Sequence, residues 1–129
     1  MKTLYSLEFP STGLNPEPHW EKNSIFMEFN ENEKQIPVEI KFVRIFAIRT
    51  RSEICCTTYH IKNAYDKLVE IDDSDWVSEI LLDTQESWKN KITPHHYMIY
   101  LDSVGCFEVL AQGCEVYKQN NIFLRIALQ

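Results

Sequence analysis

Apolar and polar residues alternate with period two through Ile36, Val38, Ile40 and Phe42, with Glu39 and Lys41 between them. That is the pattern of a strand with one buried face. The phase slips at Val43. Beyond it Arg44, Phe46 and Ile48 oppose Val43, Ile45 and Ala47, which predicts a β-bulge near Phe42–Val43 that divides the strand. Ser24 to Phe29 predicts a shorter strand before it, joined through a polar turn over residues 30–35. Ahead of both, Pro10, Gly13, Pro16 and Pro18 make residues 10–23 an extended connection that Leu14 and Trp20 can pin to a core. Glu53 to Ile61, rich in Thr, Cys and Tyr, reads as another strand, and Asn63 to Val69 as a helical turn or a short strand. Tyr97–Leu101, Cys106–Ala111, Cys114–Tyr117 and Ile122–Leu128 complete an antiparallel meander, with turn residues at the joins.

One segment switches to the helical period. Asp72-Asp73-Ser74 supplies capping side chains, and Asp75 follows in the first turn, where the helix dipole favours an anion. Trp76, Val77, Ile80, Leu81 and Trp88 then share a face, Lys89 and Lys91 fall near the end, and Pro94 closes the segment. The opposite face is acidic: Asp75, Glu79, Asp83 and Glu86 stack at i, i+4, i+8 and i+11, and no Lys or Arg occurs from Glu70 through Glu86. Like charges so spaced cost an isolated helix roughly 0.2–0.5 kcal/mol per pair. Nothing local offsets that cost. A solvated face is the ordinary explanation of helix charge, but mixed signs are expected there. The one-sign stripe, extended by Asp72 and Asp73 and interrupted by the apolar Leu82, is therefore the expected contact surface for a cationic partner. The fold class expected is α+β: a mostly antiparallel twisted sheet or sandwich with one main helical insert at about 75–90.

Composition narrows the function. A chain of 129 residues suits one domain spanning 1–129, and 44% hydrophobic with 25% charged residues is the balance of a globular protein. A formal charge of -6 argues against direct nucleic-acid binding, which rests on clustered Lys and Arg, and favours a basic protein as partner. Glu8 and Pro10 interrupt the amino-terminal segment before an apolar stretch of signal-peptide length, and the apolar run around Phe42 to Ile48 is too short to span a bilayer. A cytoplasmic protein with no membrane contact is expected, and in that compartment its four cysteines stay reduced.

Candidate chemistry is sparse. Cys55, Cys56, Cys106, Cys114, His60, His95 and His96 are ligand types for zinc, yet no C-x-x-C spacing occurs, so no metal and no cofactor are expected. Cys55 or Cys56 with His60 lacks a basic neighbour or helix amino terminus to activate a thiol. Alternation places one ring of His95-His96 inward and one outward, at the mouth of a strand. Glu108 is the odd position. If all of Asp102 to Gly105 is loop, Glu108 lies opposite Ile99, on a face with Tyr97, Leu101, Cys106 and Leu110. A carboxylate there needs a partner, either an ion pair with Arg44 or Arg125 on a neighbouring strand or a Tyr hydrogen bond, and such a structural role is expected ahead of catalysis. No second carboxylate, phosphate loop or nucleophile elbow accompanies it, so no catalytic residues are assigned and no enzyme is expected.

The segments Ala64–Ile71 through Ser74–Val77, and His96–Asp102 through Gly105–Ala111, resemble a group of small bacterial proteins. That group carries a helix-opening S-x-W-L, an R-H-Y-x-I-Y-F-D strand, a glycine turn and C-Y-E followed by two hydrophobic residues and Ala. In this chain His95 replaces the Arg, Leu101 the Phe and Phe107 the Tyr. The chain also resembles, in size, acidity and type, the immunity proteins of bacterial polymorphic toxin systems, including contact-dependent growth inhibition. That resemblance implies a cytosolic protein that binds and blocks a toxin domain delivered by a neighbouring cell. A small cytosolic adaptor or housekeeping protein is the competing expectation, and a small hydrolase or thiol enzyme stands third.

Overall fold

A computed structural model describes the backbone of residues 1–14, 16–118 and 121–126, with side chains over 1–14, 16–30 and 32–118. Eight strands form one antiparallel sheet: β1 (Lys2–Ser6), β2 (His19–Glu21), β3 (Ser24–Glu31), β4 (Lys34–Ser52), β5 (Lys67–Ile71), β6 (His95–Leu101), β7 (Gly105–Lys118) and β8 (Asn121–Ile126). Their order is β1-β5-β6-β7-β4-β3-β2, and β8 joins β7 beyond the stretch that β6 covers. Two helices, α1 (Thr58–Ala64) and α2 (Asp75–Asp83), make the fold α+β, the class the hydrophobic pattern predicts.

The sheet is strongly curled. Trp20 on β2 and Phe107 on β7 are three strand spacings apart along it, about 14 Å if the sheet were flat. Their ring centroids are 6.4 Å apart. Phe42 likewise meets Tyr97 at 5.8 Å and Trp20 at 6.0 Å. The concave side therefore closes on itself, burying Ile25, Met27, Phe29, Val38, Ile40, Phe42, Leu68, Tyr97, Ile99, Leu101, Val109 and Val116 without a second sheet. The connection from Leu7 to Leu14 helps cover this core with Leu7, Phe9 and Leu14, and Ser11 pins it, donating to Asp66 and accepting from the Asp102 amide at 2.9 Å. Both helices lie on the convex side, where Ala64, Val69, Met98, Tyr100 and Cys106 form a smaller buried cluster.

Four local expectations are corrected. β4 runs unbroken, and its irregularity falls a little later than Phe42–Val43: Arg44 has φ +52° and the register shifts between Ile45 and Ala47. The strand expected over Glu53–Ile61 is a 3₁₀ turn (Glu53–Cys55) followed by α1. Thr57 and His60 form a reciprocal capping box there, and burial of His60 and Ala64 outweighs the β-propensity of Thr and Tyr. Cys106–Ala111 and Cys114–Tyr117 belong to one strand, because β7 keeps β4 as neighbour throughout while its other neighbour changes from β6 to β8.

The fourth correction concerns the helical insert. It ends at Asp83 and not near 90, and α1 is a second helix. Thr84 is extended and its hydroxyl donates to the Ile80 carbonyl at 2.6 Å, which satisfies one of the last carbonyls and turns the chain. The following residues make turns that lay Trp88 near Arg44 of β4. In the last predicted strand, Asn121–Ile126 is strand, and residues 127–129 lie outside those described.

Candidate functional site

The helical side of the sheet carries the polar groups that the core excludes. Alternation along β6 sends His96, Met98 and Tyr100 to this side, and along β7 it sends Cys106, Glu108 and Leu110 there. The turn between the strands decides the pairing. It spans only Asp102–Val104, with Gly105 at φ +125° already opposite Leu101. Glu108 is therefore opposite Met98, not Ile99, and shares its face with His96, Met98 and Tyr100 instead of Tyr97, Ile99 and Leu101. A one-residue change in the loop moves every side chain to the other face.

Glu108 is buried and paired, though not with either expected arginine. Arg49, directly opposite on β4, grips it with two hydrogen bonds, Nε to Oε2 and Nη2 to Oε1, both 3.0 Å. Arg44 lies beyond the bulge, and β8, which carries Arg125, pairs with Cys114–Lys118. His96 Nε2 donates to Oε1 at 2.8 Å. Because an ionised carboxylate only accepts, that nitrogen carries a proton, and the other ring nitrogen, Nδ1, is hydrogen-bonded to the Ser74 hydroxyl at 2.7 Å. Ser74 is the N-cap of α2 and its oxygen accepts from the Val77 amide at 3.2 Å. One chain of hydrogen bonds thus ties the start of α2 to three strands' worth of sheet. Trp76 seals it, with its ring edge-on to His96 at 5.2 Å and the Arg49 guanidinium 4.0 Å above it.

The electrostatics follow from that geometry. Burial alone raises the Glu108 pKa, but the hydrogen bonds from His96 and Arg49, with the Arg49 charge, outweigh it and hold the carboxyl down at about 2. Burial also pushes the Cys106 and Cys114 thiols up to about 12, so both stay protonated and inert. All four cysteines are free, and Cys55 is exposed. Burial lowers the His60 pKa, and its Nδ1 accepts from the Thr57 amide at 3.0 Å, which makes it a helix cap. His95 faces Glu70 at 2.7 Å and stacks on Tyr97, while His96 takes the opposite side, as alternation requires. Among the described residues no group of three or more His, Cys, Asp or Glu is placed to hold a metal. No helix among them is long and apolar enough to cross a membrane.

The acidic surface is present in reduced form. Asp72, Asp73, Asp75, Glu79, Leu82, Asp83 and Glu86 are all exposed. Asp75, Glu79 and Asp83 share a helical face and form no ion pair among the described residues. Glu86 lies past the helix end and pairs with Lys89 at 3.0 Å, so it leaves the stripe. Asp72 accepts from the Met1 amino group at 2.7 Å, which lowers its pKa. Asp73 occupies the turn into Ser74 with φ +50°.

Several hollows flank α2. A cleft of about 430 Å³ opens over the Ser74–His96 contact, walled by Tyr59, Asp72, Asp75, Trp76 and Glu79. A groove of about 440 Å³ lies at the other end of the helix, between it and β4. Sequence reasoning reached Glu108 but missed Ser74, His96, Arg49 and Trp76 as its companions; a three-residue turn with Gly105 at its end was the signal that could have joined them.

The molecule is thus a curled antiparallel sheet with an acidic helix clamped to its convex face through a hydrogen-bond chain to a buried carboxylate. Compared with protein-family models, with curated proteins and with solved structures, this chain matches none.

Proposed function

We propose that this chain is a protein-binding module for a basic partner, and specifically a cytoplasmic immunity protein that seats a toxin domain on α2 and blocks it. One observation supports the reading: Asp75, Glu79 and Asp83 present three carboxylates with no ion pair among the described residues, on a face where Leu82 stands 77% exposed. An apolar contact ringed by one sign of charge suits fast, steered association with a protein of opposite charge. A cytosolic adaptor for a host protein would use the same face. The gene neighbourhood and co-expression separate the two, since only an immunity protein adjoins a toxin reading frame and rescues growth from that toxin domain; no adjoining toxin gene and no rescue would sink the immunity reading.

The direct test of the surface is the double variant Glu79→Lys/Asp83→Lys. Both positions are exposed, so far-UV circular dichroism should be unchanged. Association with the toxin domain should slow by about tenfold at low ionic strength, and the difference should shrink as salt shortens the Debye length below about 8 Å. An unchanged rate and salt slope would reduce the face to solvated surface.

A second reading, hydrolysis, draws on the Ser74–His96–Glu108 order of hydroxyl, imidazole and carboxylate at 2.7 and 2.8 Å beside a cleft. Against it, the Val77 amide occupies the Ser74 oxygen and Arg49 holds both oxygens of Glu108. A fluorophosphonate probe followed by mass spectrometry should leave Ser74 unlabelled; a stoichiometric adduct on Ser74 would put hydrolysis first.

A further inference from the structure

The groove at the carboxy-terminal end of α2 gathers two departures from local preference. Arg44 has φ +52° inside β4, and the other described non-glycine residues with positive φ all lie in turns or loops. Left-handed backbone at a long side chain persists only where its surroundings demand it. Asp83 sits at the negative end of the helix dipole, with no basic residue in the last turn to compensate. Both residues line the same groove, whose apolar walls are Phe46, Ile80, Trp88 and Ile92. Alternation keeps Arg44 and Phe46 on one side, and the irregularity at Arg44 sets that side opposite Phe42.

The charges around the groove are unequal in what they leave open. Arg44 and Lys91 both lie over the Trp88 ring, at 5.7 and 5.5 Å, and Lys89 is paired with Glu86. Asp83 in the groove, and Glu79 one turn before it, have no ion pair among the described residues. The cations are engaged and the carboxylates are not. Trp88, an aromatic wall, is still 45% exposed. A site of this kind lacks an apolar body to cover the tryptophan and a cation to meet the carboxylates.

We infer that this groove is the anchor point for the basic partner: it takes an apolar side chain of a partner segment in which lysine or arginine stands next to that residue, the cation pairing with Asp83 and Glu79. The inference rests on the binding reading above and deepens it. Aromatic-walled pockets at the centre of a contact hold most of the dissociation energy, whereas the exposed stripe acts on encounter.

The probes are three acetylated, amidated peptides, Lys-Phe-Lys, Lys-Ser-Lys and Glu-Phe-Glu, titrated into the ¹⁵N-labelled chain and followed by NMR. Lys-Phe-Lys should shift the Trp88 indole and the amides of Phe46, Ile80 and Asp83, and bind at least about fivefold tighter than either control. Trp88→Ala should abolish those shifts, and Asp83→Asn should weaken Lys-Phe-Lys towards Glu-Phe-Glu; both positions are exposed, so the fold should hold, which the dispersion of the same spectra checks. Equal binding of Lys-Ser-Lys, equal binding of Glu-Phe-Glu, shifts centred elsewhere, or no shifts would each overturn the inference. Peptide binding without rescue from the toxin would remove the immunity reading and leave the groove standing. Rescue that survives Trp88→Ala with an unchanged dissociation rate would remove the groove and leave the reading.

Discussion

Gly105→Ala should destabilise the protein by about 3 kcal/mol or more, lowering the thermal midpoint by roughly 10 °C or abolishing folding. Two independent constraints meet at this glycine. Its φ of +125° is a conformation that side-chain-bearing residues rarely adopt. A Cβ there would also stand 2.1 Å from the Arg51 carbonyl oxygen and 2.9 Å from the Glu53 nitrogen, both backbone atoms of the neighbouring strand and turn that cannot swing aside. The consequence reaches the site, because Gly105 opposite Leu101 sets the register that carries Glu108 to His96. A variant that escapes the clash by slipping one residue would turn Glu108 towards the apolar concave core and away from Arg49. Thermal denaturation with an amide fingerprint spectrum distinguishes the outcomes. A near-native midpoint and spectrum would show that the Asp102–Gly105 turn does not fix the register.

Replacing Glu108 with Gln should lower stability by about 1–3 kcal/mol at neutral pH, since a buried, charge-assisted acceptor for Arg49 and His96 becomes a neutral amide that must turn one polar group towards a donor. The pH dependence is the sharper readout. The folded carboxyl titrates near 2 against an ordinary 4.5, so the unfolded chain takes up this proton first. The stabilisation is complete above about pH 4.5 and is lost as the pH falls towards 2; a shift of that size corresponds to something on the order of 3 kcal/mol. Other carboxylates titrate in the same window, so the quantity to follow is the difference between wild type and Glu108→Gln by urea denaturation. It should shrink towards zero between about pH 4.5 and pH 2. A difference that stays constant over that range would mean that the ion pair does not hold the carboxyl down.

Local chemistry made several parts of this molecule legible. Period-two alternation marked Ile36–Phe42 as a half-buried strand, and Asp72-Asp73-Ser74 before an apolar face marked the start of α2, where Ser74 of the three is the cap. The exposure of Asp72, Asp73, Asp75, Glu79, Leu82, Asp83 and Glu86 was equally accessible, because charge on one helical face is rarely buried. The end of α2 was not. Trp88 continues the helical period in sequence, but a hydroxyl hydrogen bond at Thr84 and the contact of Trp88 with Arg44 of β4 take the chain out of the helix. Thr57 to Ala64 shows the same limit, since its strand-favouring residues became helix once His60 and Ala64 could be buried on the sheet.

What the sequence determined by itself was the class of fold, the alternating faces, the helix start and an acidic surface, all properties set by neighbours within a few residues. What the tertiary structure decided was partnership across the chain. Whether Glu108 met Ile99 or Met98 hung on one residue of loop length. Its union with Arg49 and His96, and of Arg44 with Asp83 and Trp88 around one groove, came from strands and a helix far apart in sequence. Alternation assigns a side chain to a face, but only register and the curl of the sheet assign it a neighbour, because a side-chain period of two cannot distinguish one register from the next but one.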